Sequence, residues 1–328
     1  MTLPLGNDEA HAAFRAAMSS GALHHAWLFS GPEGIGKARF ARVAALRLLA
    51  EAARPETLAP GFDVPADDPA RALIAGGAHP DYRELVRMPK DAAKPDGDLA
   101  RSIPIAQVRA LLPMFATTPS MSARRVVIID AVDDLERPGA SNALLKNLEE
   151  PPAGTIFLLV SHAPGRLLPT IRSRCRRLRF NPLDDATMET VLRGHLPEAS
   201  PTEITALIRA GDGSPGRALR YAGLDMAALD DVMTLIARTG DGSSAARSKL
   251  AKALALKAAQ PRYEAFLDRV PSFIAEAATA RTGADLDRAL DAYDNARAVA
   301  VSARALSLDQ QATVYELAGL VARLAPAP

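Results

Sequence analysis

The sequence has a single cysteine, Cys175, among 328 residues. One thiol excludes an internal disulfide framework and a zinc site made of several cysteines. The formal net charge is +1, which is too small to indicate that the protein surface as a whole attracts nucleic acid or membranes. Any contact with a polyanion must therefore come from a local basic patch. Long apolar runs are also missing: none approaches the roughly 18 residues that span a bilayer, and the first twenty residues have no signal-peptide core. We therefore expect a cytoplasmic protein.

The hydrophobic content of 48% and the charged content of 23% are those of a soluble globular protein, and the length allows two or three domains. Up to residue 180, strand-like and helical patterns alternate, which predicts an α/β domain with a mostly parallel sheet flanked by helices. No strand-like run follows Pro182. We expect a small helical domain at 181–223 and a larger helical bundle at 224–328.

Apolar runs predict five strands, at 26–29, 82–86, 125–130, 155–160 and 177–180. Helical spacing predicts a first helix capped by Asn7 or Asp8, a second ending near Ala53, and others at 141–150 and 167–174. Ser102 has the character of an N-cap for a helix with Ile105, Val108, Leu112 and Phe115 on its apolar face. Residues 54–78 and 89–101 are rich in turn formers and predict loops, the first with at most one short helix.

Residues 31–38, GPEGIGKA, follow the first predicted strand and open the second helix. Strand, glycine-rich loop and helix in this order form a phosphate cradle, in which Gly31, Gly34 and Gly36 free the backbone and Lys37 reaches the terminal phosphates. The alternative is a glycine turn with a chance lysine. Position 38 should carry a serine or threonine hydroxyl for Mg²⁺, but it is Ala38.

The buried strand at 125–130 ends in Asp130, the position of an acid that holds Mg²⁺ through water in phosphate-loop NTPases. The hydrolysing members place a glutamate next to it to orient the attacking water, and here that residue is Ala131. Two positions therefore lack the oxygens that hydrolysis needs. We expect the nearby Asp133 and Asp134 to lie in a solvated loop.

The run SNALLKNLEEPP at 141–152, followed by SRC at 173–175, resembles the signature of bacterial clamp-loader AAA+ subunits of DNA polymerase III. The stretches HAWLF at 25–29 and AHPDY at 78–82 resemble the delta-prime branch of that family. The likeness extends from residue 5 to about 220. It implies an AAA+ P-loop domain at 1–180, a lid at 181–223 and an oligomerising collar at 224–328.

By this resemblance Arg174, in the SRC motif, is an arginine finger that enters a neighbouring subunit's nucleotide site. Arg217 resembles the sensor-2 arginine of the lid, and Ser161 falls in the sensor-1 region. On charge alone, the arginines near Arg174 could instead form a solvated face or a phosphate-binding patch, and Arg217 could be an ordinary residue at a helix N-terminus. Cys175 is most simply a buried motif residue.

The family implies partners: gamma/tau and delta clamp-loader subunits, the sliding clamp and primer–template DNA, with no membrane. Many relatives carry four zinc-binding cysteines after the phosphate-loop helix, whereas residues 51–78 contain none, so we expect no zinc. The sequence leaves open whether ATP binds, and we expect no hydrolysis. The residues that would hold the nucleotide are Gly31, Gly34, Gly36, Lys37, Asp130 and Arg217. The alternatives are an active gamma/tau-type ATPase and, less compatible with SRC, a small-molecule P-loop kinase.

Overall fold

The computed structural model describes residues 2–21, 23–55, 58–94 and 97–326. Residues 56–57 and 95–96, which fall within the two predicted loops, lie outside the described part. The chain divides into an N-terminal unit over residues 1–183 and a C-terminal unit over residues 184–328.

One parallel sheet forms the centre of the N-terminal unit. In the described residues its strands are β1 (Ala26–Ser30), β2 (Tyr82–Val86), β3 (Arg125–Asp130), β4 (Thr155–Ser161) and β5 (Arg176–Arg179). They lie side by side in the order β2-β3-β4-β1-β5. The predicted α/β fold with a parallel sheet is therefore confirmed.

Helices cover both faces of the sheet because its central strands are apolar on both sides. Alternate side chains of β1 enter opposite cores: Trp27 and Phe29 pack with the first core, and Ala26 and Leu28 with the second. The helices of this unit are α1 (Asp8–Ser19), α2 (Lys37–Ala53), α3 (Pro69–Ala75), α4 (Ile105–Arg109), α5 (Leu112–Phe115), α6 (Gly139–Glu149) and α7 (Pro169–Ser173).

Two predicted helix starts differ from the structure. Ser102 does not cap a helix: α4 begins at Ile105, whose N–H donates to the Glu136 carboxylate at 3.1 Å, and the predicted single helix is two short ones. Leu112, expected on the apolar face, is 56% exposed. Asn7 precedes α1 but makes no cap, because its side chain instead bonds both backbone groups of Asn181, at 3.1 and 2.6 Å.

The described part of the C-terminal unit is helical throughout, as predicted. Its helices are α8 (Asp185–His195), α9 (Pro201–Gly211), α10 (Pro215–Arg220), α11 (Met226–Thr239), α12 (Ala245–Leu254), α13 (Gln260–Ala278), α14 (Gly283–Leu306) and α15 (Gln310–Ala322). Helix α9 packs against α8 and α10 and also against α11 and α13. The division into a lid and a collar at residue 223 stays a prediction.

A buried arginine joins two helices of this unit. Arg269 of α13, 1% exposed, donates to Asp230 of α11 at 2.8 and 3.0 Å and to Glu276 at 2.5 and 3.0 Å. No helix among the described residues has the combined length and apolar character that membrane crossing requires.

Candidate functional site

The glycine-rich loop lies at the carboxyl edge of the sheet, between β1 and α2. Strand β4 separates β1 from β3, so the residues after β4 lie between the loop and Asp130. Crevices at the carboxyl ends of parallel strands are the usual ligand sites of such sheets. Here a cavity of about 380 Å³ is lined by residues of the loop and of the ends of β2, β3 and β4, among them Lys37, Ala38, Asp130, Ala131 and His162.

The glycines of the loop take conformations that other residues rarely adopt. Gly34 and Gly36 have φ of +80° and +96°, and Gly31 has φ of +155°. A Cβ on Gly31 would lie 2.2 Å from the carbonyl oxygen of Phe180, directly after β5. Gly31 is therefore required by the close approach of the chain from β5 as well as by its own backbone angle.

Lys37 is turned back onto the loop that it follows. Its side chain is buried, with 2% of the residue exposed, and Nζ donates to the carbonyl of Gly31 at 2.7 Å and to that of Pro32. Burial lowers the pKa of Lys37 to about 8, against the opposing effect of Asp130 and Asp133. The predicted cradle residues are thus brought together, with the ammonium group satisfied by backbone oxygens.

Asp130 at the end of β3 faces a cation that sequence reasoning missed. Arg42 of α2 lies 3.7 Å from the Asp130 carboxylate and donates twice to Glu84 of β2, at 2.8 and 2.5 Å. Burial raises the pKa of Asp130, although Arg42 opposes this shift. The only signal for this pair in the sequence was Glu84, a carboxylate inside a strand-like run, because a carboxylate in a strand needs a cationic or hydrogen-bonding partner.

Asp133 and Asp134 do not lie in a solvated loop, and that expectation was wrong. Asp133 accepts the hydroxyl of Ser161 at 3.0 Å and the backbone N–H of His162 at 2.6 Å, which ties the ends of β3 and β4 together. Asp134 pairs with Arg87 at 3.0 Å. Because Ser161 is fully buried and turned toward Asp133, His162 is the residue after β4 that lines the cavity.

Arg174 lies just after α7, with its guanidinium at the surface of the N-terminal unit. Its Nη2 is 2.7 Å from Oε1 of Glu149, the last residue of α6, and its Nη1 donates to the carbonyl of Thr170 at 3.0 Å. Cys175 beside it packs against the second core, and burial raises the pKa of its thiol to about 12. Cys175 is thus partly buried, not fully buried as the sequence suggested, and it lies next to an arginine that solvent reaches.

The other arginines around Arg174 differ in what they contact. Arg176 stacks over the Trp27 ring, 5.2 Å from its centroid, and Arg177 donates to the Ser30 hydroxyl at 2.8 Å. Arg172 and Arg179 are exposed.

Arg217 belongs to the C-terminal unit, where Ser214 caps its helix α10 by accepting the Arg217 N–H at 3.2 Å. Its side chain lies 3.8 Å from Asp212 and lines a cavity of about 510 Å³ with residues of α13 and α14, including Asp268 and Arg304. A nucleotide contact by Arg217 stays a prediction.

The family model described as DNA polymerase III, delta subunit, matches residues 6–184, more than half of the chain. The chain belongs to this family. It is 38% identical over 201 residues to the DNA polymerase III subunit delta prime of Pseudomonas aeruginosa, covering 61% of this chain and 56% of that protein. It is 32% identical over 278 residues to subunit tau of Salmonella typhimurium, covering 84% of this chain and 40% of tau.

The chain thus spans about half the length of these relatives. Among solved structures, a gamma subunit-related protein of DNA polymerase III from Thermotoga maritima is similar over 96% of this chain and 98% of that one, with a TM-score of 0.44 and 16% identity. The membership in the delta-type family agrees with the motif resemblance found at 141–152 and 173–175.

Proposed function

We propose that this protein is a delta-prime subunit of the DNA polymerase III clamp loader that does not itself hydrolyse ATP. It would assemble with gamma/tau and delta subunits and support the loading of the sliding clamp onto primed DNA. The observation that carries the proposal is the family match over residues 6–184, which contains both the glycine-rich loop and the SRC motif. Relatives include both delta prime and tau, so the individual residues must decide between the roles.

Two residues that line the cavity and one that lies beside it support the absence of hydrolysis. Ala38 and Ala131 supply no oxygen where a metal ligand and a water-orienting carboxylate are needed, and Arg42 stands beside Asp130. Mg²⁺ requires an octahedron of oxygen ligands, and a guanidinium next to the remaining carboxylate opposes a second cation. The residues present therefore do not fit a catalytic magnesium site. Loss of general-base help alone lowers a rate by roughly 10²–10⁴-fold.

The chemistry and exposure of Arg174 support a role for this residue in the nucleotide site of a neighbouring subunit. A planar guanidinium can bind two phosphate oxygens at once, and an arginine supplied in trans raises turnover by about 10³–10⁵-fold in GTPases. Arg174 precedes Cys175, which is partly buried and packs against the second core, and this contact supports a defined position for the Arg174 backbone at the surface. Its partial exposure leaves the guanidinium accessible to a second subunit.

The test is ATP turnover by a clamp loader reconstituted with gamma/tau and delta subunits. Arg174→Ala should lower the ATP turnover rate at the one neighbouring site by about 10³–10⁵-fold. The complex should therefore lose the share of its total turnover that this site contributes. Arg172→Ala is the matched control, because Arg172 is an exposed arginine two residues away with no ion pair among the described residues. Unchanged clamp- and DNA-stimulated turnover in Arg174→Ala would contradict the finger assignment.

The isolated chain provides the second test. Its turnover of radiolabelled ATP should equal that of Lys37→Ala, and a rate clearly above this control would favour the active gamma/tau-type role. Equilibrium binding of labelled ATP to the same two proteins then shows whether Gly31, Gly34, Gly36 and Lys37 still hold a triphosphate.

A further inference from the structure

Arg174 already has an anionic partner within its own chain. Glu149 ends α6, and its carboxylate meets the Arg174 guanidinium at 2.7 Å, while the Thr170 carbonyl accepts a second N–H at 3.0 Å. The C-terminal end of a helix carries partial negative charge, which also favours a cation there. The arginine is therefore held against its own subunit by two acceptors.

We propose that Glu149 is a resident counter-ion that competes with a neighbour's nucleotide phosphate for Arg174. This inference rests on the proposed function, in which Arg174 acts in trans. Carboxylate and phosphate oxygens bind the same N–H groups of a guanidinium, so the N–H group held by Glu149 is withheld from phosphate. Glu149 thereby weakens the binding of Arg174 to the phosphate of the neighbouring subunit's nucleotide.

The exchange needs only a side-chain movement. The backbone at this point is held by the packing of the partly buried Cys175 against the second core and by the bond from the Arg174 N–H to the Ile171 carbonyl at 3.2 Å. The pair itself is accessible to water, with side-chain exposures of 34% for Arg174 and 42% for Glu149. Ion pairs exposed to this degree are weak and sensitive to salt, so a phosphate with more charge can displace the carboxylate.

Glu149→Gln tests the competition, because it keeps the shape of the side chain and removes its charge. In the reconstituted complex at low salt and subsaturating ATP, basal turnover should rise about 1.5- to 5-fold, the range that weak exposed ion pairs allow. The gain should shrink as salt screens the pair. Glu150→Gln is the matched control, since Glu150 is exposed and makes no ion pair within the described residues.

The double variant Glu149→Gln/Arg174→Ala separates this inference from the proposed function. If Glu149 acts through Arg174, the double variant should turn over ATP like Arg174→Ala alone. Turnover that stays at or falls below the wild-type value in Glu149→Gln, while Arg174→Ala is impaired, would overturn the competition and leave the finger intact. If Arg174→Ala itself has no effect, the finger and the competition both fail.

Discussion

Gly31 offers the sharpest test of the site geometry. Replacing it with alanine would put a Cβ atom 2.2 Å from the Phe180 carbonyl oxygen and 2.9 Å from Cδ1 of Ile35, at a φ of +155°. Ordinary non-bonded contacts between carbon atoms are about 3.5–4.0 Å. The isoleucine can rotate away, but Phe180 is backbone and follows β5, so the loop and the sheet edge must separate.

The expected cost combines two effects. A backbone angle unsuited to an L-residue costs about 1–3 kcal/mol, and overpacking typically costs a further 1–3 kcal/mol. Gly31→Ala should therefore lower the free energy of unfolding of the N-terminal unit by about 2–6 kcal/mol. The free energy of unfolding of a domain is only about 5–15 kcal/mol, so a loss of this size can leave part of the variant protein unfolded.

Two other glycines of the same unit separate the effects. Gly77 has φ of +67° with no atom within 4 Å of the added Cβ, so Gly77→Ala isolates the backbone cost of about 1–2 kcal/mol. Gly165 also has open space and no such angle, so Gly165→Ala should stay within about 0.5 kcal/mol of wild type. Denaturant unfolding followed by the fluorescence of Trp27, the single tryptophan, reports this unit selectively.

The order expected for the loss of stability is Gly31→Ala, then Gly77→Ala, then Gly165→Ala. A loss for Gly31→Ala no larger than that for Gly77→Ala, at unchanged m-value, would show that the loop does not approach Phe180 so closely. The close contact would then be refuted, together with our reason for requiring glycine at that position.

Two further predictions concern buried charge. Arg269→Met strands the Asp230 carboxylate in the helical unit and should cost about 3–5 kcal/mol, whereas Arg288→Met, at an exposed pair, should cost at most about 1 kcal/mol. Equal losses in circular-dichroism unfolding would contradict this. His11 stacks on Phe40, neither of its ring nitrogens has a hydrogen-bond partner within the described part of the chain, and burial lowers its pKa. The unfolded chain therefore binds a proton first as pH falls below about 6.5, and stability declines there. His11→Phe should add about 1–3 kcal/mol and reduce that decline in urea midpoints between pH 7.5 and 5; an unaltered decline would argue against it.

Much of the fold could be predicted because its signals are local. The strands over 125–130 and 155–160 are continuous apolar runs, and the structure has them as Arg125–Asp130 and Thr155–Ser161. The switch to helices after residue 182 was equally plain. Local reasoning failed at Ser102, because Pro104 and a distant glutamate set the start of α4, and at Asp133, whose partners follow a different strand.

The sequence by itself determined the parallel α/β domain, the glycine-rich loop, the motif at 173–175 and the missing oxygens at Ala38 and Ala131. Only the tertiary structure decided that Arg42 faces Asp130, that Lys37 bonds its own loop and that Glu149 holds Arg174. Periodicity and turn chemistry are read along a few neighbouring residues. Two of these three contacts, Arg42–Asp130 and Glu149–Arg174, are ion pairs between residues far apart in the chain, and which side chains meet is set by how the helices pack on the sheet.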